Sequence, residues 1–70
     1  MGIIRLKVRE LAAEKGWTIK EVSDRSGVVY STLRIYAGSP GMTMVDFTAI
    51  QKLARAFDVM IEELVEVIEE

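Results

Sequence analysis

The side chains that most often perform enzyme chemistry are scarce in this chain of 70 residues. It has no cysteine and no histidine, which removes thiolate nucleophiles, imidazole bases and the commonest zinc ligands. The glutamate pairs at 62–63 and 69–70 are adjacent in sequence, as is typical of solvated surface. The Gly-Ser-Pro-Gly segment at 38–41 lacks the lysine and the helix start of a phosphate-binding P-loop. We therefore expect no enzyme activity, no cofactor, no metal and no small-molecule substrate.

The cationic residues are distributed unevenly. The net charge is −2, but residues 1–36 carry seven Lys and Arg against four Asp and Glu, whereas residues 37–70 carry two against seven. Nucleic acid responds to a local basic face more than to the total charge. The same asymmetry is also compatible with two ordinary solvated surfaces. Charge alone therefore leaves a nucleic-acid partner and a plain surface as alternatives.

The length of the chain limits how its residues can be positioned. A domain of this size buries only about 60% of the surface of its unfolded chain. Without disulfides or metals, it must depend on an apolar core and, we expect, on a partner subunit. Half of the residues are apolar. No run approaches the roughly 18 apolar residues of a membrane span, and no signal peptide is visible. We expect one cytoplasmic domain over residues 1–70.

The start of the chain combines two patterns. Apolar and basic residues alternate over 4–9, which indicates a short extended segment. From Val8 onward the apolar residues share a helical face, so helix one is expected to run to about Lys15 and to end at Gly16. A helix that begins as early as Ile4 is the alternative.

Helix two has the clearest start signal. Thr18 and Glu21 have the spacing of a capping box, and the apolar residues on either side of the cap, Trp17 and Val22, form a hydrophobic staple. The helix is expected to run to about residue 26, where Gly27 ends it.

Helix three is expected from Val28 to about Ala37, followed by a glycine. Leu33 should point inward, together with either Tyr36 or Ile35.

Helix four should begin at Asp46, with Val45 and Ile50 as its staple. Its apolar face comprises Phe47, Ile50, Leu53, Ala54 and Phe57. Asp58 can adopt the left-handed conformation of the turn that follows.

A short fifth helix should run from Met60 to about Leu64 or Val65. Two readings of residues 65–70 remain. In one, they form a strand that pairs with the basic strand at 4–9, and in the other they continue the fifth helix. In the first reading, Arg5 and Lys7 lie against Glu66 and Glu69.

The segment 17–38 resembles the helix-turn-helix of Cro and lambda-repressor-like regulators, the xenobiotic-response-element (XRE) family. The stretches that carry the resemblance are KGWTIKEVS at 15–23, SGV at 26–28, STL at 31–33, AIQKLARAFDV at 49–59 and EEL at 62–64. The resemblance extends from about residue 6 to residue 64. It implies an all-α class, a compact bundle of four to five helices with the helix-turn-helix at about 18–37. A small β pairing of the two chain ends is the addition that the residues allow.

In that family the outer face of the third helix enters the major groove of double-stranded DNA. The DNA-binding residues that the resemblance implies are Lys20, Val29, Tyr30, Ser31, Thr32, Arg34 and Ser39, with Ile35 as a further base-facing position. Arg34 and Ser31 suit base edges or phosphate, and Lys20 suits phosphate.

The chain departs from the family pattern in two places. Ile19 and Val29 stand where the family commonly has polar residues. The arginine of helix one and the glutamate of helix three, often a buried pair, are missing, and Ala12 and Ala37 stand near those positions. Because both partners are absent, no unpaired buried charge remains.

Two functions follow from the resemblance. The first is a sequence-specific, repressor-like transcription regulator that binds DNA as a homodimer. The alternative is a protein-interaction module, antitoxin-like or adaptor-like, with weak or no DNA binding. The apolar residues that could supply the dimer contact, or could simply close the core, are Met60, Ile61, Val65, Val67 and Ile68.

Overall fold

The computed structural model describes residues 3–38 and 45–68. Within these ranges five helices and two strands follow one another. They are β1 (Ile3–Leu6), α1 (Val8–Lys15), α2 (Ile19–Ser26), α3 (Tyr30–Gly38), α4 (Phe47–Phe57), α5 (Ile61–Leu64) and β2 (Val65–Ile68). The expectation of a mainly helical bundle is confirmed. None of the helices in the described ranges is both long and apolar enough to span a membrane.

The two ends of the described chain pair as a small antiparallel sheet. Arg5 lies opposite Glu66, and Arg5 Nη1 donates to Glu66 Oε1 over 3.1 Å. The extended reading of the tail is therefore confirmed, whereas a continuous fifth helix and a first helix beginning at Ile4 are both wrong. Lys7 lies outside the ladder, between β1 and α1, where its backbone N–H donates to Leu64. The predicted partner Glu69 lies outside the described residues.

Local signals end the first helices where the sequence predicts. Gly16 and Gly27 adopt the left-handed conformation, with φ of 72° and 81°, and terminate α1 and α2. Thr18 Oγ1 accepts from the backbone N–H of Glu21 over 3.1 Å. Only this half of the predicted capping box forms. The Glu21 carboxylate instead accepts from Arg25 over 3.0 Å, because a cation one turn away offers a charge-assisted bond.

Helix α4 begins and ends as predicted, but its first residue does not join the core. Asp46 Oδ1 accepts from the N–H of Thr48, and Asp58, with φ of 58°, terminates the helix. The prediction that Phe47 belongs to the apolar face is wrong, because its side chain is 59% exposed. At 3.6 residues per turn, Phe47 lies about a quarter turn from the centre of the buried stripe. Ala49 is buried in that stripe.

The core joins all the helices to the sheet. Its buried members are Leu6, Val8, Ala12, Val22, Val28, Leu33, Tyr36, Ala49, Ile50, Leu53, Ala54, Phe57 and Leu64. Trp17 packs against it, and its ring stacks on Phe57 with centroids 5.7 Å apart. Trp17 lies just before α2 and Phe57 ends α4, so this stack joins the start of α2 to the end of α4.

One ion network predicts a pH dependence of stability. Arg5 contacts both Glu10 of α1 and Glu66 of β2. The hydrogen bond from Arg5 lowers the pKa of Glu10 below its ordinary value of 4.5. A carboxyl group with a lowered pKa in the folded state stabilises the fold above its unfolded pKa, and this stability is lost as the pH falls through the folded pKa. We expect a small loss beginning near pH 4.5, since solvent screens an exposed pair.

The measurement is urea unfolding of the parent, Glu10→Gln and Glu14→Gln at pH 6 and at pH 3.5. Glu14 is exposed on the same helix, so its variant removes an equal charge and retains the contact between Arg5 and Glu10. The acid-dependent loss of stability should be smaller in Glu10→Gln than in the other two proteins. An equal loss in all three would refute this role of Glu10.

Candidate nucleic-acid interface

A tight turn connects α2 to α3. Gly27 leaves α2 in the left-handed conformation, and the side chain of Val28 is buried behind it. The carbonyl of Val29 accepts the first hydrogen bond of α3, from the N–H of Leu33 over 2.9 Å. The predicted start of helix three at Val28 is therefore wrong by two residues. The backbone groups of Val28 bond to hydroxyl groups of α2 and do not enter a helical ladder.

The inward side of α3 consists of Leu33 and Tyr36, which are both buried. This decides the alternative that the sequence left open, because Ile35 is 65% exposed. Leu33 and Tyr36 set the rotation of α3 about its own axis. The opposite side of the helix consequently faces solvent.

The outward side of α3 consists of Tyr30, Ser31, Arg34 and Ile35, all of which are exposed. Residues three and four apart share one face of a helix, and Ser31, Arg34 and Ile35 border one shallow depression. The guanidinium carbon of Arg34 lies 6.0 Å from the centre of the Tyr30 ring. The structure thus places three predicted site residues, Tyr30, Ser31 and Arg34, on the same side of α3. Ile35, the further base-facing position, lies on that side too.

Val29 directly precedes α3, and Thr32 lies on another side of that helix. Together with Lys52 of α4, they line a cavity of about 160 Å³ between the starts of α3 and α4. Val29 is 66% exposed and Thr32 is half-buried. The predicted residues of helix three therefore form two groups. Lys52 was not predicted, because its position in the sequence shows only that it is on the polar side of α4.

Lys20 and Ser39 stand apart from these groups. Lys20 lies in the first turn of α2, where its Nζ is 3.9 Å from Asp24 Oδ1 and both side chains are well exposed. Such a pair is weak, so the cation remains able to turn to another anion. Ser39 lies outside the described residues.

A contact from α1 supports the far end of α3. Arg9 Nε donates to the carbonyl oxygen of Ala37 over 3.1 Å. Cations are favourable at the carbonyl end of a helix. The contact links the two helices in which the sequence lacks the family's arginine and glutamate, and it needs no buried carboxylate. Arg9 is three residues before Ala12, the position considered in the sequence, so spacing did not predict it.

The electrostatic character of α3 suits an anionic partner. Tyr30–Gly38 contains no Asp or Glu, and the first turn has no acidic residue. Arg34 is the charged residue of this helix, and it lies on the outward side. A helix of this kind offers hydroxyl groups, one guanidinium and apolar carbon to whatever approaches it.

One comparison with known proteins found a match. A family model described as Cro/C1-type HTH DNA-binding domain matches residues 7–70. Comparison with curated proteins and with solved structures gave no match. The matched range includes α1 through β2, so it contains the turn, both helices that flank it and the core that holds them. The chain therefore belongs to the Cro/C1-type family of helix-turn-helix DNA-binding domains, which at the family level are DNA-binding transcription regulators.

Proposed function

We propose that this protein binds specific sequences of double-stranded DNA and regulates transcription in the manner of a repressor. The observation that carries the proposal is the outward side of α3, which is exposed, lacks carboxylates and holds Arg34 beside Ser31. The major groove of B-DNA is about 12 Å wide and admits a helix. In the proposed complex this side of α3 lies in the groove.

Each group of residues has a distinct role in the proposed complex. Arg34 reads a guanine through two hydrogen bonds or grips a phosphate, and Ser31 bonds to a base edge. Tyr30 reaches the sugar-phosphate backbone. Exposed apolar carbon at Val29 and Ile35 suits thymine methyl groups. Phosphate contacts position the protein along the duplex and carry no sequence information directly.

Lys20 and Lys52 are the proposed phosphate contacts outside α3. Lys20 belongs to the first turn of α2, near backbone N–H groups that also favour anions. Lys52 lines the same cavity as Val29 and Thr32, so a duplex that covers the start of α3 passes close to it. Thr32 and Ser39 complete the proposed set.

Selection from a random DNA library, followed by titration of the selected duplex at several salt concentrations, tests this function. We expect an enriched consensus. The logarithm of the binding constant should fall linearly with the logarithm of the salt concentration, with a slope of about −0.9 for each phosphate contacted. Failure to enrich any sequence, with no binding at low salt, would contradict the proposal.

Two cations of α4 provide a matched pair for the same titration. Lys52 lies beside the start of α3, whereas Arg55 lies beside α5, where it lines a depression with Met60 and Glu62. We expect Lys52→Ala to reduce the magnitude of the salt slope by about 1 and Arg55→Ala to leave it unchanged. Equal effects of the two substitutions would show that Lys52 acts only through net charge.

A protein-interaction module on the same fold is the second candidate function. The observation that favours it is the exposure of Val29 and Ile35, since apolar side chains at the helix that should read DNA also suit a protein partner. The library selection separates the two functions. An interaction module would show neither a consensus nor a steep salt dependence.

We further propose that the protein acts as a homodimer. One helix-turn-helix covers only a few base pairs, and two copies about 34 Å apart read two half-sites. Of the apolar residues in the last segment, Ile61 and Val65 pack on the core, whereas Met60 and Val67 are 62% and 60% exposed. This exposure supports a contact with a second copy through the start of α5 and through β2.

Sedimentation equilibrium over a range of concentrations tests the dimer. We expect a monomer–dimer equilibrium for the parent protein and a shift toward monomer for Val67→Lys. The exposed position of Val67 should let this variant fold. A parent that stays monomeric throughout, together with a selected consensus that lacks two-fold symmetry, would disprove the dimer.

A further inference from the structure

The two peptide groups on either side of Val28 are held by serine side chains. Ser23 Oγ donates to the carbonyl oxygen of Val28 over 2.6 Å, and the N–H of Val28 donates to Ser26 Oγ over 3.2 Å. The N–H belongs to the peptide plane before the Cα of Val28, and the carbonyl belongs to the plane after it. Holding both planes restricts both backbone dihedral angles of this residue.

The same end of α2 also holds the residue before Val28. The carbonyl of Ser23 accepts from the N–H of Gly27 over 2.9 Å. Ser23 therefore bonds to two consecutive residues of the turn, one through its backbone and one through its side chain. The buried side chain of Val28 fixes the turn from the opposite direction.

The position of Val28 decides the direction of α3. One residue, Val29, separates it from the first residue of the helix, and the carbonyl of Val29 already accepts a helical hydrogen bond. A helix of nine residues is about 13 Å long. A rotation of about 10° at its start would displace its far end by about 2 Å, which exceeds the tolerance of a hydrogen bond.

We propose that Ser23 and Ser26 are positioning residues, whose hydroxyl groups fix the angle at which α3 leaves the turn. The proposal rests on the proposed function, because that angle matters when α3 reads DNA. A small side chain at position 23 is enough for α2 to approach α3, and alanine would supply it. The hydroxyl group of Ser23 adds the bond to Val28, and this bond orients the helix.

Ser23→Ala and Ser26→Ala, compared with Ser26→Thr, test the proposal. The readout is the ratio of the affinity for the selected duplex to the affinity for random duplex. We expect Ser23→Ala to lower this ratio about tenfold, a loss of the size that one hydrogen bond supplies. Ser26→Ala should lower it less, because its bond is longer. Ser26→Thr keeps the hydroxyl oxygen, so its affinity ratio should equal that of the parent.

Val59→Ala is the matched control for stability. Val59 packs against the core and lines the depression beside α5, away from the turn. This variant should lower the melting temperature and leave the affinity ratio unchanged. If Ser23→Ala changed the melting temperature alone, as Val59→Ala is expected to do, the positioning role would be refuted while the proposed function remained intact.

Amide hydrogen exchange of the DNA-free protein tests the positioning role of the serines separately from the proposed DNA binding. We expect the N–H of Val28 to exchange faster in Ser26→Ala, and the N–H of Leu33 to exchange faster in Ser23→Ala, with the amides of α4 unchanged. If the parent selects no DNA, the proposed function fails and these exchange rates decide whether the serines hold the turn. Unchanged exchange at both amides would overturn the proposal.

Discussion

Replacing Arg34 with alanine is expected to weaken binding to the selected duplex by about 1–3 kcal/mol and to relax the consensus at one base pair. Arg34 lies on the outward side of α3 and borders the same shallow depression as Ser31 and Ile35. Among the residues that the structure describes, it forms no salt bridge. The fold should therefore be unaffected. Selection repeated with Arg34→Ala shows which base pair loses its preference.

Two arginine variants control this result. Arg34→Lys keeps the charge but loses the planar pair of donors. Compared with Arg34→Ala, it should bind random DNA more tightly, but it should still lack the base preference of the parent. Arg25→Ala removes an arginine from α2, where its guanidinium lies 4.4 Å from the centre of the Trp17 ring. That variant should keep the consensus. A uniform loss of affinity in Arg34→Ala, with every base preference intact, would show that Arg34 contacts phosphate.

The helix ends that a glycine or a capping side chain marks are the part of the fold that the sequence predicts best, because these signals act on neighbouring residues. Gly16 and Gly27 terminate helices because only glycine adopts the left-handed conformation without a steric cost. Thr18 and Asp46 cap helices through side chains that reach N–H groups two or three residues away. Asp58 ends α4 for a similar local reason.

The late start of α3 and the place of Lys52 beside it were not predicted. The sequence analysis placed the start of helix three directly after Gly27, at Val28. The structure starts α3 later because hydroxyl groups of α2 hold Val28. Lys52 gains its place beside the start of α3 through the packing of α4. No spacing within one helix contains this information.

The candidate site was predicted as a set of positions but not as an arrangement. The resemblance to a known family pointed to helix three, and the structure shows which of its residues share a side. That division follows from the rotation of α3, which the burial of Leu33 and Tyr36 sets. The sequence left Tyr36 and Ile35 as alternatives, so it could not have separated Ser31 and Arg34 from Thr32.

Replacing Phe57 with alanine is expected to destabilise the protein by about 3–5 kcal/mol, the largest loss of stability that we predict. Phe57 is fully buried at the end of α4, and its ring stacks on Trp17. A single core in a domain of this size supplies only about 3–5 kcal/mol in total. Phe57→Ala should therefore be largely unfolded at 25 °C, as far-UV circular dichroism and urea titration would show.

Phe47→Ala is the matched control, because it removes the same side chain from the other end of the same helix. Phe47 is mostly exposed, so its loss should change stability by no more than about 0.5 kcal/mol. The two variants distinguish the structure, in which only Phe57 of the two is buried, from the sequence pattern of helix four, which assigned both phenylalanines to the apolar face. Equal destabilisation by the two variants would mean that Phe47 is buried after all. The start of α4, and with it the position of Lys52 beside α3, would then be wrong.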